Sequence, residues 1–139
     1  MTITAEVAAN IEKARIRTEK RELEKARIKG LYDNPETIQI GEGVTIHTGM
    51  GGLYSPFTVI ETRRNGRELV IQRDRSEFPE GYNWAGDTSG VIYHRDLTGR
   101  IDVITKRNDG TYIAKGAPKE WYATRYSIGS RRDWTDYSQ

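Results

Sequence analysis

Hydrophobic and polar residues change their rhythm once along this chain. From about Thr4 to Lys29 there is neither glycine nor proline, and Ala, Glu, Lys, Arg and Leu dominate. That is the composition of a helix, and Gly30 stands where a C-terminal glycine cap belongs. The apolar positions Val7, Ile11, Ala14, Ile16, Leu23, Ile28 and Leu31 form a thin seam that drifts around the helix. Such a seam does not hold a helix on its own, so this one is expected to pack on the rest of the protein or on another copy of it.

From about Thr37 the rhythm shortens to runs of Val, Ile, Thr and Tyr punctuated by Gly, Asn-Gly and Asp-Gly. In "PFTVIETRRNGRELVIQRD" the runs Phe57–Thr62 and Leu69–Gln72 flank Asn65-Gly66, a pair suited to the positive φ angles of a type I′ turn, which predicts a β-hairpin. "IDVITKRNDGTYIAKG" repeats this grammar around Asp109-Gly110. "TIQIGEGVTIH" supplies one or two strands before the first hairpin, "SGVIYHRD" another between the hairpins, and "WYATRYSIG" the last. The fold class that follows is mainly β with one long N-terminal α-helix, its core a small antiparallel barrel or two-sheet sandwich. Residues 1–36 are then an anchoring or oligomerisation helix and residues 37–139 the β core with its pocket. Residues 74–90, "DRSEFPEGYNWAGDTSG", carry too many Gly, Pro, Ser and Asp for regular structure. A loop of that length in a small domain is often functional.

Composition narrows the partners. Hydrophobic residues make up 35% and charged residues 30% of 139 positions, polar for one compact domain, so oligomerisation is one way to bury more surface. The formal charge of +2 gives no global basic field, which disfavours a nucleic acid as the partner; any basic site is local. Within the helix, Lys13, Arg17, Arg21, Lys25 and Lys29 follow one another at intervals of four. This row is either a solvated face relieved by neighbouring glutamates or a stripe for a nucleic acid or an acidic partner. The absence of cysteine excludes disulfides and fits a reducing cytoplasm, and the N-terminal residues lack an apolar run long enough for a signal peptide or a membrane span.

No catalytic constellation is legible. His47 and His94 stand alone without cysteine or paired carboxylates, so neither a metal site nor a cofactor is expected, and "GMGG" at 49–52 opens no helix that could cradle a phosphate. What stands out is arginine beside aromatic residues on β elements: Arg73 and Arg75, Tyr93 and Arg95, Arg107, Arg125, Arg131 and Arg132. Guanidinium groups grip phosphates through two parallel bonds and stack on rings; aromatic faces stack on bases. Strand alternation predicts that Arg73 and Arg75 share one face. Together these residues point to an anion that carries a ring.

Three segments, "YSPFTVIETRRNGRELVIQRD", "ITKRNDGTYIAKG" and "IGSRRDWTDYS", resemble in order the signature segments of a small phage-encoded family, the Thoeris anti-defence sponges. The resemblance spans about residues 54–138 with gaps. It implies a non-enzymatic protein of the host bacterial cytoplasm that captures the cyclic ADP-ribose isomer made by a host TIR-domain protein and holds it without cleavage. It also implies an N-terminal anchoring helix, a β core, and homo-oligomers (dimer or hexamer) with pockets between subunits. By position, Arg107 and Arg131 are expected on ligand phosphates, Arg73 and Arg75 beside them, and Tyr93 stacked on adenine. Leu97-Thr98-Gly99 replaces the family's Pro-Asn-Gly, leaving the Thr98 hydroxyl in place of an asparagine contact. The loop bearing Phe78, Tyr82, Asn83 and Trp84 departs from the pattern too, which leaves another cyclic nucleotide, including a cyclic oligonucleotide, open as the ligand. In the tail, Trp134 and Tyr137 are expected to pin the strand that presents Arg131. The rival readings are a nucleic-acid-binding barrel that acts as a phage inhibitor or regulator, and a structural oligomeric protein.

Overall fold

In a computed structural model the chain forms one long helix and a closed antiparallel barrel; the structure describes residues 4–48, 53–80, 91–117 and 124–131. Helix α1 (Ala5–Asp33) begins at Thr4, whose hydroxyl accepts from the Val7 amide at 3.2 Å, the usual way to satisfy an orphan donor of the first turn. It does not stop at Gly30. The helix continues to Asp33 and is capped at Asn34, whose amide donates to the Gly30 carbonyl. Glycine is merely a poor helix former, and the packing of Leu31 and Tyr32 against the barrel outweighs that preference. A 3-10 turn over Pro35–Thr37 follows.

Among the described residues eight strands come next: β1 (Gly43–Thr48), β2 (Leu53–Arg63), β3 (Glu68–Arg73), β4 (Arg75–Glu77), β5 (Ile92–His94), β6 (Ile101–Lys106), β7 (Tyr112–Ala114) and β8 (Thr124–Ile128). The barrel closes in the order β1-β2-β3-β6-β7-β8, while β4 and β5 pair apart as a two-stranded ribbon. Both expected hairpins are present. In the first, Asn65 and Gly66 have the expected positive φ (56° and 81°), and the Arg67 amide closes their turn on the Arg64 carbonyl at 3.2 Å; Arg64 shares the left-handed conformation (52°), and the Gly66 amide closes an overlapping turn on the Arg63 carbonyl at 3.1 Å. Gly66 has a second task as well. A Cβ there would lie 1.8 Å from the Pro35 carbonyl oxygen. The stretch at 74–90 is also less irregular than its composition implies, since residues 75–77 form β4; Tyr82, Asn83 and Trp84 lie outside the described residues, as do Arg132, Trp134 and Tyr137.

Alternation along the strands fills the barrel: Val44, Ile46, Phe57, Val59, Leu69, Ile71, Ile104, Tyr112 and Ile128 form the core with Leu31 and Ile38. Only the last turns of α1 join it. Ile28 lies 2.7 Å from where a Cβ on Gly129 would sit, the Tyr32 hydroxyl accepts from the Ile128 amide at 2.9 Å, and Arg27 reaches the Gly129 carbonyl at 2.7 Å and Glu42 at 3.2 Å. The remainder of the helix is exposed, including Val7, Ile11, Ile16 and Leu23, so packing on the barrel accounts for its C-terminal end alone. Among the described residues no helix is long and apolar enough to cross a membrane.

Candidate functional site

The β3–β4 junction is built around one carboxylate. Asp74 breaks the strand, donating its amide to the Pro56 carbonyl at 3.0 Å, and its side chain is 1% exposed. A buried carboxylate is costly unless every lone pair is engaged. Here the Thr58 hydroxyl donates at 2.7 Å, Arg131 donates through Nε at 3.0 Å and Arg95 lies at 3.4 Å. Arg131 also donates through Nη2 to the Gly41 carbonyl at 2.7 Å and to the Thr58 hydroxyl at 3.0 Å. For it to lie across β1 that strand must begin with a glycine: a Cβ on Gly43 would come within 2.9 Å of the Arg131 Cγ. Arg95 is held a second time by Gln72 Oε1 at 2.9 Å, and the Gln72 amide nitrogen donates at 3.1 Å to the carbonyls of Leu97 and Gly99.

Around this node lies a cavity of about 210 Å³, lined by Thr58, Asp74, Tyr93, His94, Arg95 and Arg131. Two guanidinium groups face one carboxylate, so the lining carries an excess positive charge. Tyr93 and His94 enter from β5, where His94 pairs with Arg75 and its Nε2 lies 2.7 Å from Glu77. The Asp96 carboxyl just beyond is held below its ordinary range, first by the Thr98 hydroxyl, then by the Thr98 amide and the positive charges of Arg75 and Arg95.

The structure therefore sorts the residues singled out above. Tyr93 and Arg131 line the same cavity. Arg75 lies one strand pair away, and Thr98 stands in the adjoining loop with its hydroxyl donating to Asp96 at 2.7 Å. Arg73 and Arg75 do not share a face, because the strand that alternation assumed ends at Asp74: Arg73 closes β3 in the barrel and Arg75 opens β4 in the ribbon. Arg73 has the inward parity of Leu69 and Ile71, and its guanidinium sits 6.0 Å from the centre of the Phe57 ring. Arg107 is elsewhere. It lines a separate cleft with Glu68, at the opposite end of β3 from Asp74, and at about 3.3 Å per extended residue the two sites are roughly 20 Å apart. Within one chain Arg107 and Arg131 do not meet.

Sequence reasoning missed Asp74, Gln72 and Thr58, which organise the cavity. Their only local trace is an acid set between Arg73 and Arg75 at the end of an apolar strand, a place where a surface reading is the natural one. His47, half-buried, stacks on Tyr54 with ring centres 4.4 Å apart, a cross-strand pair on β1 and β2. No family model, no curated protein and no solved structure matches the chain.

Proposed function

We propose that the protein binds a cyclic nucleotide signal, the cyclic ADP-ribose isomer of TIR-type defence, and sequesters it uncleaved. The observation that carries this reading is the cavity at the β3–β4 junction. A ring suited to stacking (Tyr93) and two guanidinium groups (Arg95 and Arg131) line it with a single buried carboxylate. This pairs the two recognition elements that a nucleotide requires, a face for the base and paired donors for a phosphate. Arg131, in the third resembling segment, and Tyr93, which falls where the resemblance implies an aromatic, support the same ligand.

The cavity is smaller than the roughly 300–1,000 Å³ that encloses a drug-sized molecule. It accommodates a phosphate with its neighbouring ring, and in this reading a second copy of the chain closes over the remainder. That places the ligand between subunits and gives the exposed helix a task in assembly. Arg107 is too distant to serve the same ligand within one chain and has no part in this reading. A sponge must bind well below the working concentration of its signal, and nanomolar affinity corresponds to about −12 kcal/mol, attainable only in a closed and preorganised pocket.

The test is a retention assay. The purified protein is incubated with the TIR-made isomer, freed of unbound material, heat-denatured and the supernatant chromatographed. Intact isomer is expected, with retention lost in Tyr93→Leu and Arg95→Gln. A cleaved product would make the protein an enzyme, and no retention would remove the proposal. A second reading, nucleic-acid binding, draws on α1: Lys25 and Lys29 of its basic row pair with Glu22 and Asp33, but Lys13, Arg17 and Arg21 have no ion pair among the described residues. It predicts an affinity that falls steeply with salt.

A further inference from the structure

We propose that the cleft between the two hairpin tips is a separate binding site for the polyphosphate of a nucleotide-sized molecule. The cleft has a volume of about 760 Å³, within the range of small-molecule sites. Its floor is the paired Thr105 and Ile113 of β6 and β7. Arg64 rises from one wall, on the β2–β3 turn, and Arg107, Asn108 and Asp109 from the other; Lys106 and Lys115 flank the floor. Four cations therefore converge on one concavity, with Glu68 and Asp109 as the acidic lining residues.

The two acids are already engaged. Glu68, with a side chain 6% exposed, is shared by Lys115 at 3.2 Å and Arg63 at 3.5 Å. The Asp109 carboxylate accepts from the Thr111 amide at 3.0 Å and hydroxyl at 2.7 Å, turning inward on its own loop. Lys115 is thus paired with an acid, but Arg107 and Lys106 are held differently. Arg107 Nη2 donates to the Ala117 carbonyl at 2.8 Å, and Lys106 donates to the Tyr32 carbonyl at the C-terminal end of α1. A cation fixed by a neutral carbonyl is oriented without being neutralised, and such preorganised charge favours an incoming anion.

Arg64 completes the arrangement. It carries no ion pair among the described residues and adopts φ of 52°, a left-handed conformation that residues other than glycine seldom occupy. The turn that imposes it is clamped from below. Gly66 packs against Pro35, its carbonyl accepts from the buried Tyr112 hydroxyl at 2.7 Å, and the Lys106 amide donates to the Arg67 carbonyl at 2.8 Å, tying the tips together. The spacing of the walls is thus set by the core.

The site stands independently of the cavity at Asp74. Calorimetry of the full chain with ATP and with inorganic pyrophosphate is expected to show binding of both. Arg107→Gln and Arg64→Gln, both at exposed positions, should each weaken ATP by about tenfold or more, as loss of a charge-assisted bond does. Lys20→Gln, exposed on α1 and outside both cavities, should change it less than twofold. Failure of both probes to bind at millimolar concentration would overturn the proposal, as would an affinity unmoved by the Arg107 and Arg64 substitutions. Loss of ATP binding on Arg95→Gln would overturn it too, by moving the anion to the other cavity. Binding seen only with a single-stranded oligonucleotide would replace it with backbone tracking. Retention of the cyclic ADP-ribose isomer, or its absence, bears on none of these outcomes.

Discussion

The cavity at Asp74 and the cleft at Arg107 lie at opposite ends of one strand, and they use arginine in opposite ways. At Asp74 the guanidinium groups of Arg131 and Arg95 satisfy an internal carboxylate that is 1% exposed, so their first task is to make its burial tolerable. At the cleft, Arg107 and Lys106 are held by backbone carbonyls, and Arg64 has no acidic partner among the described residues. The same side chain faces its cavity while holding a buried acid in one place, and is fixed by a neutral carbonyl in the other. Counting arginines does not separate the roles; the identity of the acceptor does.

The sharpest way to test this contrast is Asp74→Ala, which leaves two guanidinium groups and a buried hydroxyl without their acceptor. Because Arg95 and Arg131 keep some contact with water, the cost should fall near 3 kcal/mol, read from the urea midpoint with an unchanged slope. A loss below about 1 kcal/mol would mean that the network stabilises little. Tyr112→Phe comes next. It removes the bond that clamps the Gly66 turn, at about 1–2 kcal/mol. It should also change the alkaline limb of stability. Burial, aided by nearby Tyr32, pushes the Tyr112 hydroxyl up to about 12, so the folded state keeps a proton that the unfolded chain releases near pH 10. Its contribution is complete below pH 10 and is lost between about 10 and 12; the variant should lack that portion of the decline.

Glu68→Gln probes the cleft itself and should have a smaller effect. Lys115 first, and Arg63 after it, hold the Glu68 carboxyl below its ordinary value of 4.5. Its stabilisation is present above pH 4.5 and disappears as pH falls through the lower folded value. The difference between wild type and variant should therefore shrink on acidification, and a difference that persists at low pH would contradict this account. Smallest of all, Arg107→Gln should alter stability by no more than about 0.5 kcal/mol. A larger loss would make Arg107 a structural residue like Arg131 and erase the distinction between the two sites.

Much of the fold was legible because it is written in local rules. Hairpin grammar around Asn65-Gly66 and Asp109-Gly110, with short apolar runs such as Leu69–Gln72, led to a small antiparallel barrel or sandwich, and the closed barrel is the one that forms. Errors arose where a distant partner decided the outcome. Gly30 looks like a helix stop until Leu31 and Tyr32 find the barrel. Arg73 and Arg75 look like one face until Asp74 is drawn in by Thr58 and by Arg131, a residue 57 positions away. Of the residues that line the cavity, Tyr93 and Arg131 stood out in the sequence, but its organiser did not, since a buried aspartate and a surface one are identical in sequence. Arg64, Lys106 and Lys115 went unnoticed for the same reason: the cleft exists only once two hairpin tips are tied side by side.

The seam between β1 and β8 has a consequence for how the chain is made. Val44 and Ile46 pair with Phe57 and Ser55 early, but their other edge waits for Ile128 and Tyr126. Roughly 80 residues separate these edges, which at 5–20 residues per second is roughly 4–16 s of translation. For that interval a nascent barrel stands open, with an apolar strand edge available to any neighbour, and α1 has no Ile128 or Gly129 on which to seat. Closure of the barrel and docking of the helix are then a single late event, triggered when the final strand leaves the ribosome.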